Sequence, residues 1–183
     1  MGSALVMPNT WPVIEKALTI LKTKGGTLSL DPNLRPELTY DRRIQARFAQ
    51  LIDAADLLLP SGAELERAAG VEGESAAVQS LFQRGLKEIV LKRGAQGATC
   101  FRSCKAPINA LAFDVQEVDP TGAGDCFGGA YVACRRMGLP LADVLTYACA
   151  AGARNVTKYG PMEGAGTRLQ LDAFIQTTKR LDK

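Results

Sequence analysis

The chain has 183 residues, of which 46% are hydrophobic and 22% are charged, a composition typical of one globular domain with a sizeable core. Its net charge of +3 comes without a block of lysine or arginine, so charge does not indicate a nucleic-acid partner. The five cysteines form no CxxC pair and histidine is absent, which argues against zinc sites. The odd number of cysteines argues against a disulfide framework. The absence of histidine also excludes every Ser-His or Cys-His catalytic arrangement.

The cysteine pattern therefore predicts a reduced, cytoplasmic protein. No apolar run is long enough to cross a membrane, and the sequence does not open with a basic and then apolar export signal. We accordingly expect no membrane partner. Acid or base chemistry is left to carboxylates, lysine or tyrosine.

Apolar spacing and turn residues predict alternating helices and strands along the chain. A first helix is predicted over 11–23, with Thr10 as a cap, a proline in its first turn and glycines at its end. Six further helices are predicted over 40–55, 62–70, 74–85, 124–137, 141–157 and 168–180. Strands are predicted over 27–31, 56–60, 87–92, 97–101 and 109–118, the last two antiparallel. This alternation predicts a single α/β domain over 1–183 with a mostly parallel sheet between layers of helices.

Polar or glycine-rich segments follow four of the predicted strands: LDPNLR, LPSGAE, LKRGAQG and VDPTGAGD. Any one of them can be explained as an ordinary turn, since turns are rich in Asp, Pro and Gly. The carboxyl ends of parallel strands meet at one edge of a sheet, where ligands bind. Four such exits together therefore favour a binding site.

The fourth exit carries the most specific signal. Gly122, Ala123 and Gly124 place three small residues at a predicted helix start, where unpaired N–H groups and the helix dipole attract an anion. Side chains there would keep a phosphate from the backbone. Asp125 follows in the first helical turn and can take a proton from an attacking hydroxyl. The alternative is that Asp125 only stabilises the helix start.

These motifs resemble the ribokinase, or PfkB, family of carbohydrate kinases. DPTGAGDCFGGAY resembles the family's C-terminal signature almost residue for residue. LSLDPNLRPEL, LLLPSGAELERAAG, IVLKRGAQGATCF and AAGARNVTKYGP resemble four further family segments in the same order. The resemblance is greatest to 2-keto-3-deoxygluconate kinases. It implies a ribokinase-like three-layer α/β/α fold and ATP-dependent phosphorylation of a sugar or sugar acid.

The resemblance also implies roles for individual residues. Asp125 would be the catalytic base, the amides of Gly122, Ala123 and Gly124 the anion hole, and Glu64 the residue that organises Mg²⁺ through water. The implied nucleotide-binding residues are Lys92, Gly94, Gly97, Cys149, Ser61, Arg35 and Asn33. A K⁺ loop would include Asp119, Thr121, Asn155, Lys158 and Gly160.

Two features depart from the family pattern. Ser61 stands where the family usually has Asn, a mild change. The family's N-terminal strands, β-lid and glycine-rich sugar-binding segment are not found in this chain, whose opening MGSALV resembles a point inside the family fold. The uncovered strand edges of such a piece predict association with copies of itself or with a missing N-terminal half.

Arg35 follows its strand exit closely and can present a planar cation to a carboxylate or phosphate. A solvated surface arginine is the alternative. Within the resemblance, Arg35 favours either an acidic sugar or the ATP phosphates.

Three hypotheses remain open at this point. The first is a sugar kinase of the 2-keto-3-deoxygluconate type, with fructose or another ketose as the alternative substrate. The second is a nucleotide-binding module without sugar binding or turnover. The third is a structural remnant without a ligand, which the intact GAGD motif disfavours.

Overall fold

The computed structural model describes residues 9–33 and 41–181. The chain divides into two compact units. Unit 1 consists of Met1–Leu91 with Phe101–Lys105, and unit 2 of Lys92–Cys100 with Ala106–Lys183. Whether the two units form the single domain expected over 1–183 stays a prediction.

Unit 1 is built from parallel strands joined by helices. Its described helices are α1 (Trp11–Thr23), α2 (Arg42–Ala54), α3 (Glu64–Ala69) and α4 (Glu74–Gln83). Its strands are β1 (Ser29–Leu30), β2 (Leu57–Leu58) and β3 (Glu88–Lys92), the last residue of which belongs to unit 2. β1 pairs with β2 and β2 with β3, both in parallel, which confirms the predicted parallel pairing.

The core of unit 1 lies where these strands meet their helices. Leu30, Leu58 and Ile89, one from each strand, are completely buried, as are Leu51 of α2 and Leu81 of α4. Burying a side chain of this size contributes roughly 1.5–3 kcal/mol. The apolar residues that predicted these elements are therefore the ones that hold the unit together.

The start of α1 differs from its prediction in one detail. The helix spans the predicted residues, but the side chain of Thr10 makes no capping hydrogen bond. The backbone of Thr10 is already helical (φ −84°, ψ −35°), whereas a capping side chain needs an extended backbone to reach the first amides. Asp41 has that extended backbone, and its carboxylate accepts a hydrogen bond from the amide of Arg43 at the start of α2.

Arg84, just after α4, ties together three helices of unit 1. Its guanidinium donates to the carboxylate of Asp53 at 2.8 Å, to the carbonyl of Ala68 at 3.0 Å and to the carbonyl of Ala49 at 3.2 Å. The side chain is 27% exposed, so water only partly weakens these bonds.

Replacing Arg84 by Met is expected to lower the free energy of unfolding by about 1–3 kcal/mol, because carbonyls in α2 and α3 lose their donor. Urea denaturation measures the change. The control is Arg67→Met: Arg67 is exposed, and its side chain has no partner within the described part of the chain. That variant should change the free energy of unfolding by less than about 0.5 kcal/mol. Equal losses in both variants would contradict the role of Arg84.

Unit 2 combines a hairpin with three helices. Strands β4 (Ala98–Arg102, its last two residues in unit 1) and β5 (Ile108–Ala110) pair antiparallel, as predicted. The helices are α5 (Ala123–Arg136), α6 (Leu141–Val156) and α7 (Arg168–Thr177). A Cβ at Gly152 of α6 would lie 3.3 Å from the carbonyl oxygen of Ala123, so α5 and α6 approach closely there. Tyr131 of α5 and Val144 and Leu145 of α6 are completely buried.

The strand expected over 109–118 ends at Ala110. Beyond it the chain pairs with the C-terminal segment instead of extending the hairpin: Phe113 forms a bridge with Arg180, and the amide of Leu181 donates to the carbonyl of Ala112. The last helix ends at Thr177 instead of 180, because Thr178 is already extended and the guanidinium of Arg180 lies 4.2 Å from the centroid of the Phe113 ring.

Two further observations concern the expectations from composition. All five cysteines are free thiols, so the structure has no disulfide among them. None of the helices in residues 9–33 and 41–181 is both long and apolar enough to span a membrane.

Candidate active site

The start of α5 has the backbone geometry of an anion site. Gly122 precedes the helix in a left-handed conformation (φ 76°), which favours glycine. A Cβ at this position would also overlap the carbonyl oxygen of Pro161. Two independent constraints therefore require a glycine at residue 122.

Two amides at the start of α5 and one just before it are free to bind a ligand. Those of Gly122, Gly124 and Asp125 have no acceptor within the described part of the chain. The prediction differs from the structure at Ala123, whose amide donates to the carbonyl of Pro120 at 3.2 Å and closes the turn. The helix dipole adds positive potential at the same place.

Asp125 lies in the first turn of α5, as predicted, and its side chain is exposed. It has no ion pair or hydrogen-bond partner among residues 9–33 and 41–181. The carboxylate is thus adjacent to the free amides and available to accept a proton. Its neighbour Cys126 is half-buried. The pKa of that thiol is raised mainly by burial and, to a smaller extent, by the negative charge of Asp125.

Asp119 connects the segment before α5 to the loop over 157–164, which follows α6. One carboxylate oxygen accepts a hydrogen bond from the amide of Thr121 and the other from the amide of Gly160, each at 2.9 Å. Hydrogen bonds lower the pKa of Asp119 below its usual 3.8. The largest effect comes from the hydroxyl of Thr121, the next from the amide of Thr121 and the third from the amide of Gly160. The predicted members Asp119, Thr121 and Gly160 are therefore brought together in unit 2.

This lowered pKa predicts a pH-dependent stability. A carboxyl group whose pKa is depressed in the folded state stabilises it above the unfolded pKa, and the benefit is lost as the pH falls through the folded pKa. The stability gap between the wild-type chain and Asp119→Asn should thus be largest at pH 6 and shrink below pH 3.8. Urea denaturation across this range measures it, with exposed Asp114→Asn as the control. A gap that does not change with pH would contradict this role.

Asn155, at the end of α6, is completely buried. Its Nδ2 donates to the carbonyl of Thr121 at 2.8 Å and to that of Pro161 at 3.3 Å, and its Oδ1 accepts from the amide of Gly164 at 3.2 Å. Lys158, the remaining predicted member of the loop, is exposed, and its amide donates to the carbonyl of Asn155.

Gly164 was missed by the sequence analysis. A Cβ there would overlap the Cα of Asn155, so the loop can close only with glycine at this position. The glycine-rich run GPMEGAG is the signal that could have pointed to it.

The predicted nucleotide turn lies between β3 and β4. Gly94 and Gly97 both have positive φ angles (55° and 88°), and a Cβ at Gly97 would overlap the carbonyl oxygen of Ala110. Lys92 is half-buried at the end of β3. Cys149 is buried in α6, and burial raises the pKa of its thiol to about 11, so it stays protonated at neutral pH.

The predicted site residues of unit 1 lie at its strand exits. Asn33 is exposed after β1 with a φ of 41°, and Ser61 is exposed after β2. Glu64 begins α3, where its carboxylate accepts a hydrogen bond from the amide of Ser61 at 2.7 Å. Arg35 lies outside the described residues.

Among the described residues, no group of three or more His, Cys, Asp or Glu side chains could hold a metal ion. Within the part of the chain that the structure describes, the expected Mg²⁺ site therefore depends on the carboxylate of Glu64 alone. Mg²⁺ commonly binds through one or two carboxylates, several waters and substrate phosphates, and a single half-buried carboxylate fits that mode.

Comparison with known proteins identifies the family. The family model described as pfkB family carbohydrate kinase matches residues 1–168. The chain belongs to this family. This pfkB chain resembles fructokinases and ribokinases. It is 31% identical over 174 residues to Fructokinase-1 of Oryza sativa subsp. japonica, covering 88% of this chain and 53% of that protein. Ribokinase of Haemophilus influenzae is 29% identical over 168 residues, covering 89% and 52%.

Solved structures confirm the ribokinase-like α/β fold of this pfkB protein. A crystal structure assigned as ribokinase II from E. coli, in complex with ATP and Mg²⁺, matches with a TM-score of 0.92 at 38% identity, covering 96% of this chain and 57% of that one. Fructokinase from Vibrio cholerae, bound to fructose, ADP and a calcium ion, matches with a TM-score of 0.83 at 26% identity, covering 94% and 58%. The chain thus spans little more than half the length of these relatives.

Proposed function

We propose that this chain carries the phosphoryl-transfer chemistry of an ATP-dependent sugar kinase. The observation that supports this most directly is the start of α5, where free amides of Gly122 and Gly124 adjoin the exposed carboxylate of Asp125. The matching of residues 1–168 to a carbohydrate kinase family adds independent support.

The proposed chemistry divides between amides and carboxylate. The amides of Gly122, Gly124 and Asp125 would stabilise the negative charge of the phosphoryl group as it moves, since fixed donors need no reorganisation. Asp125 would accept the proton of the attacking sugar hydroxyl. The amide of Ala123 is taken up by the turn and would contribute less.

The nucleotide would contact the turn formed by Lys92, Gly94 and Gly97. The positive φ angles of Gly94 and Gly97 let the backbone of this turn bend tightly. Cys149 would contribute apolar surface, because its thiol is protonated. Nucleotide contacts are also proposed for Ser61, Asn33 and Arg35.

Glu64 would hold Mg²⁺ through water, and this ion would supply positive charge to the nucleotide phosphates. Asp119, Thr121, Asn155, Lys158 and Gly160 would form a K⁺ loop, for which the oxygens of Asp119 and the loop carbonyls are suitable ligands. The compartment proposed for this chemistry is the cytoplasm.

The sugar is the finer part of the proposal. A 2-keto-3-deoxygluconate-type sugar acid is favoured by the DPNLR segment, in which Arg35 could pair with a carboxylate. Fructose is favoured by the fructokinases among the relatives. The rival proposal is a module that binds nucleotide without turnover or acts only with a partner that supplies the family's N-terminal half.

One assay series tests these proposals. ATP and Mg²⁺ are titrated by calorimetry, and ADP production is then followed with 2-keto-3-deoxygluconate, fructose and ribose as acceptors. ADP production that depends on one sugar supports the kinase and names its substrate. ATP binding without any sugar-dependent turnover supports the module. Absence of ATP binding would contradict both.

A further inference from the structure

One buried side chain in unit 2 joins three backbone segments. Asn155 donates from Nδ2 to the carbonyls of Thr121 and Pro161 and accepts at Oδ1 from the amide of Gly164. This set fixes the orientation of its carboxamide, because an amide nitrogen can serve two carbonyls and an oxygen cannot. Asn155 is completely buried, so water cannot substitute for any of these bonds.

The partners of Asn155 lie at the place where the loop over 157–164 meets the start of α5. Thr121 directly precedes Gly122, and the carbonyl of Pro161 is the group against which Gly122 packs without room for a Cβ. A side chain that fixes both carbonyls therefore fixes the backbone from which the free amides project.

Three further hydrogen bonds join this loop to α6. The hydroxyl of Thr157 donates to the carbonyl of Arg154, the amide of Lys158 donates to the carbonyl of Asn155, and the guanidinium of Arg154 donates to the carbonyl of Gly164. These bonds connect the loop only to α6. Among the described residues, the side chains that connect it to the start of α5 by hydrogen bonds are Asn155 and Asp119.

We propose that Asn155 is a positioning residue that locks the loop over 157–164 onto the start of α5 and thereby fixes the amides of Gly122 and Gly124. Its catalytic consequence rests on the proposed kinase function, whereas the lock itself does not. Asn155 touches neither nucleotide nor sugar in this role and acts through the backbone.

The test is Asn155→Asp, which keeps the shape of the side chain and the acceptor for Gly164 but replaces the donor with an oxygen facing two carbonyls. Losing the donor to the carbonyls of Thr121 and Pro161 should raise trypsin cleavage after exposed Lys158 by about tenfold or more, because the loop is then held less tightly. Cleavage after Lys105, in the exposed β4–β5 connection, is the internal reference and should stay the same.

In the kinase assay, Asn155→Asp should lower kcat by about tenfold or more while the KM for the sugar changes less than about threefold, because misplaced amides affect the transition state. Asn109→Asp is the matched control: among the described residues, the exposed side chain of Asn109 only accepts a hydrogen bond, from the hydroxyl of Thr99 at 2.7 Å, and an aspartate can still accept it. It should change neither readout.

An unchanged ratio of cleavage at Lys158 to cleavage at Lys105 overturns the proposal, as does an equal rise at both sites, which would indicate general destabilisation. A raised ratio with unchanged kcat overturns the catalytic consequence. If the wild-type chain has no turnover with any sugar, the kinase function fails and the cleavage ratio still decides whether the lock exists.

If Asn155→Asp does not fold, amide hydrogen exchange of the wild-type chain provides the test. The Gly164 amide should exchange at least about tenfold more slowly than an exposed loop amide, because its acceptor is the buried Asn155 side chain. Exchange as fast as that of an exposed amide overturns the proposal.

Discussion

Replacing Asp125 by Asn is expected to lower kcat for sugar phosphorylation by about 10²- to 10⁴-fold, the usual contribution of a positioned general base. The amide keeps the size of the side chain but cannot accept the hydroxyl proton at neutral pH. Because Asp125 is exposed and has no partner among the described residues, the fold should tolerate the change. Loss of its charge near the helix start should cost no more than about 1 kcal/mol.

Steady-state kinetics and ATP titration measure this prediction together. ATP affinity should stay within about threefold of wild type, since the base acts on the sugar hydroxyl and not on the nucleotide. Asp143→Asn is the matched control, because Asp143 is likewise exposed in the first turn of a helix, α6. It should leave kcat unchanged. Turnover that persists in Asp125→Asn would exclude Asp125 as the base.

Replacing Gly122 by Ala is expected to reduce both stability and activity. An alanine pays about 1–2 kcal/mol to adopt the left-handed conformation, and overlap with the carbonyl oxygen of Pro161 adds to that cost. The free energy of unfolding should therefore fall by at least about 2 kcal/mol. Relief of the overlap must move the loop or the start of α5, so kcat should fall by about tenfold or more.

Urea denaturation and kcat measurements at 25 °C test this, with Gly129→Ala as the control in the same helix. A Cβ at Gly129 meets no heavy atom within 4 Å, and its backbone is helical. Alanine there should raise the free energy of unfolding by up to about 1 kcal/mol and leave kcat unchanged. Similar losses in both variants would show that Gly122 has no special requirement.

The glycines in GAGDCFGG are not all constrained in the same way. Gly122 is required by its conformation and by close approach of another segment. Gly128 and Gly129 lie in open space, and nothing among the described residues explains them. The motif places all of these glycines within eight residues, and only the structure separates those that are constrained.

Much of the fold follows from local pattern. The helix over 11–23, the parallel strands of unit 1 and the antiparallel pair of unit 2 were predicted because apolar spacing and turn residues act over a few residues. The errors include Thr10, where the backbone conformation decides capping, the segment over 109–118, where the strand ends early, and the last helix, which ends at Thr177 instead of 180. Where that strand ends, the chain pairs with residues near 180 instead of extending the hairpin, and nothing in the sequence near Phe113 predicts that pairing.

The sequence by itself determined the family, the parallel strands, and the position of Asp125 and the small residues at the start of a helix. These features depend on residues that are close together in the sequence. Only the tertiary structure decided which amides stay free, that Asp119 bonds to Gly160, and that Asn155 fixes both Thr121 and Pro161. Such hydrogen bonds join residues up to 41 positions apart, and their formation depends on how α5 and α6 pack, which no local pattern specifies.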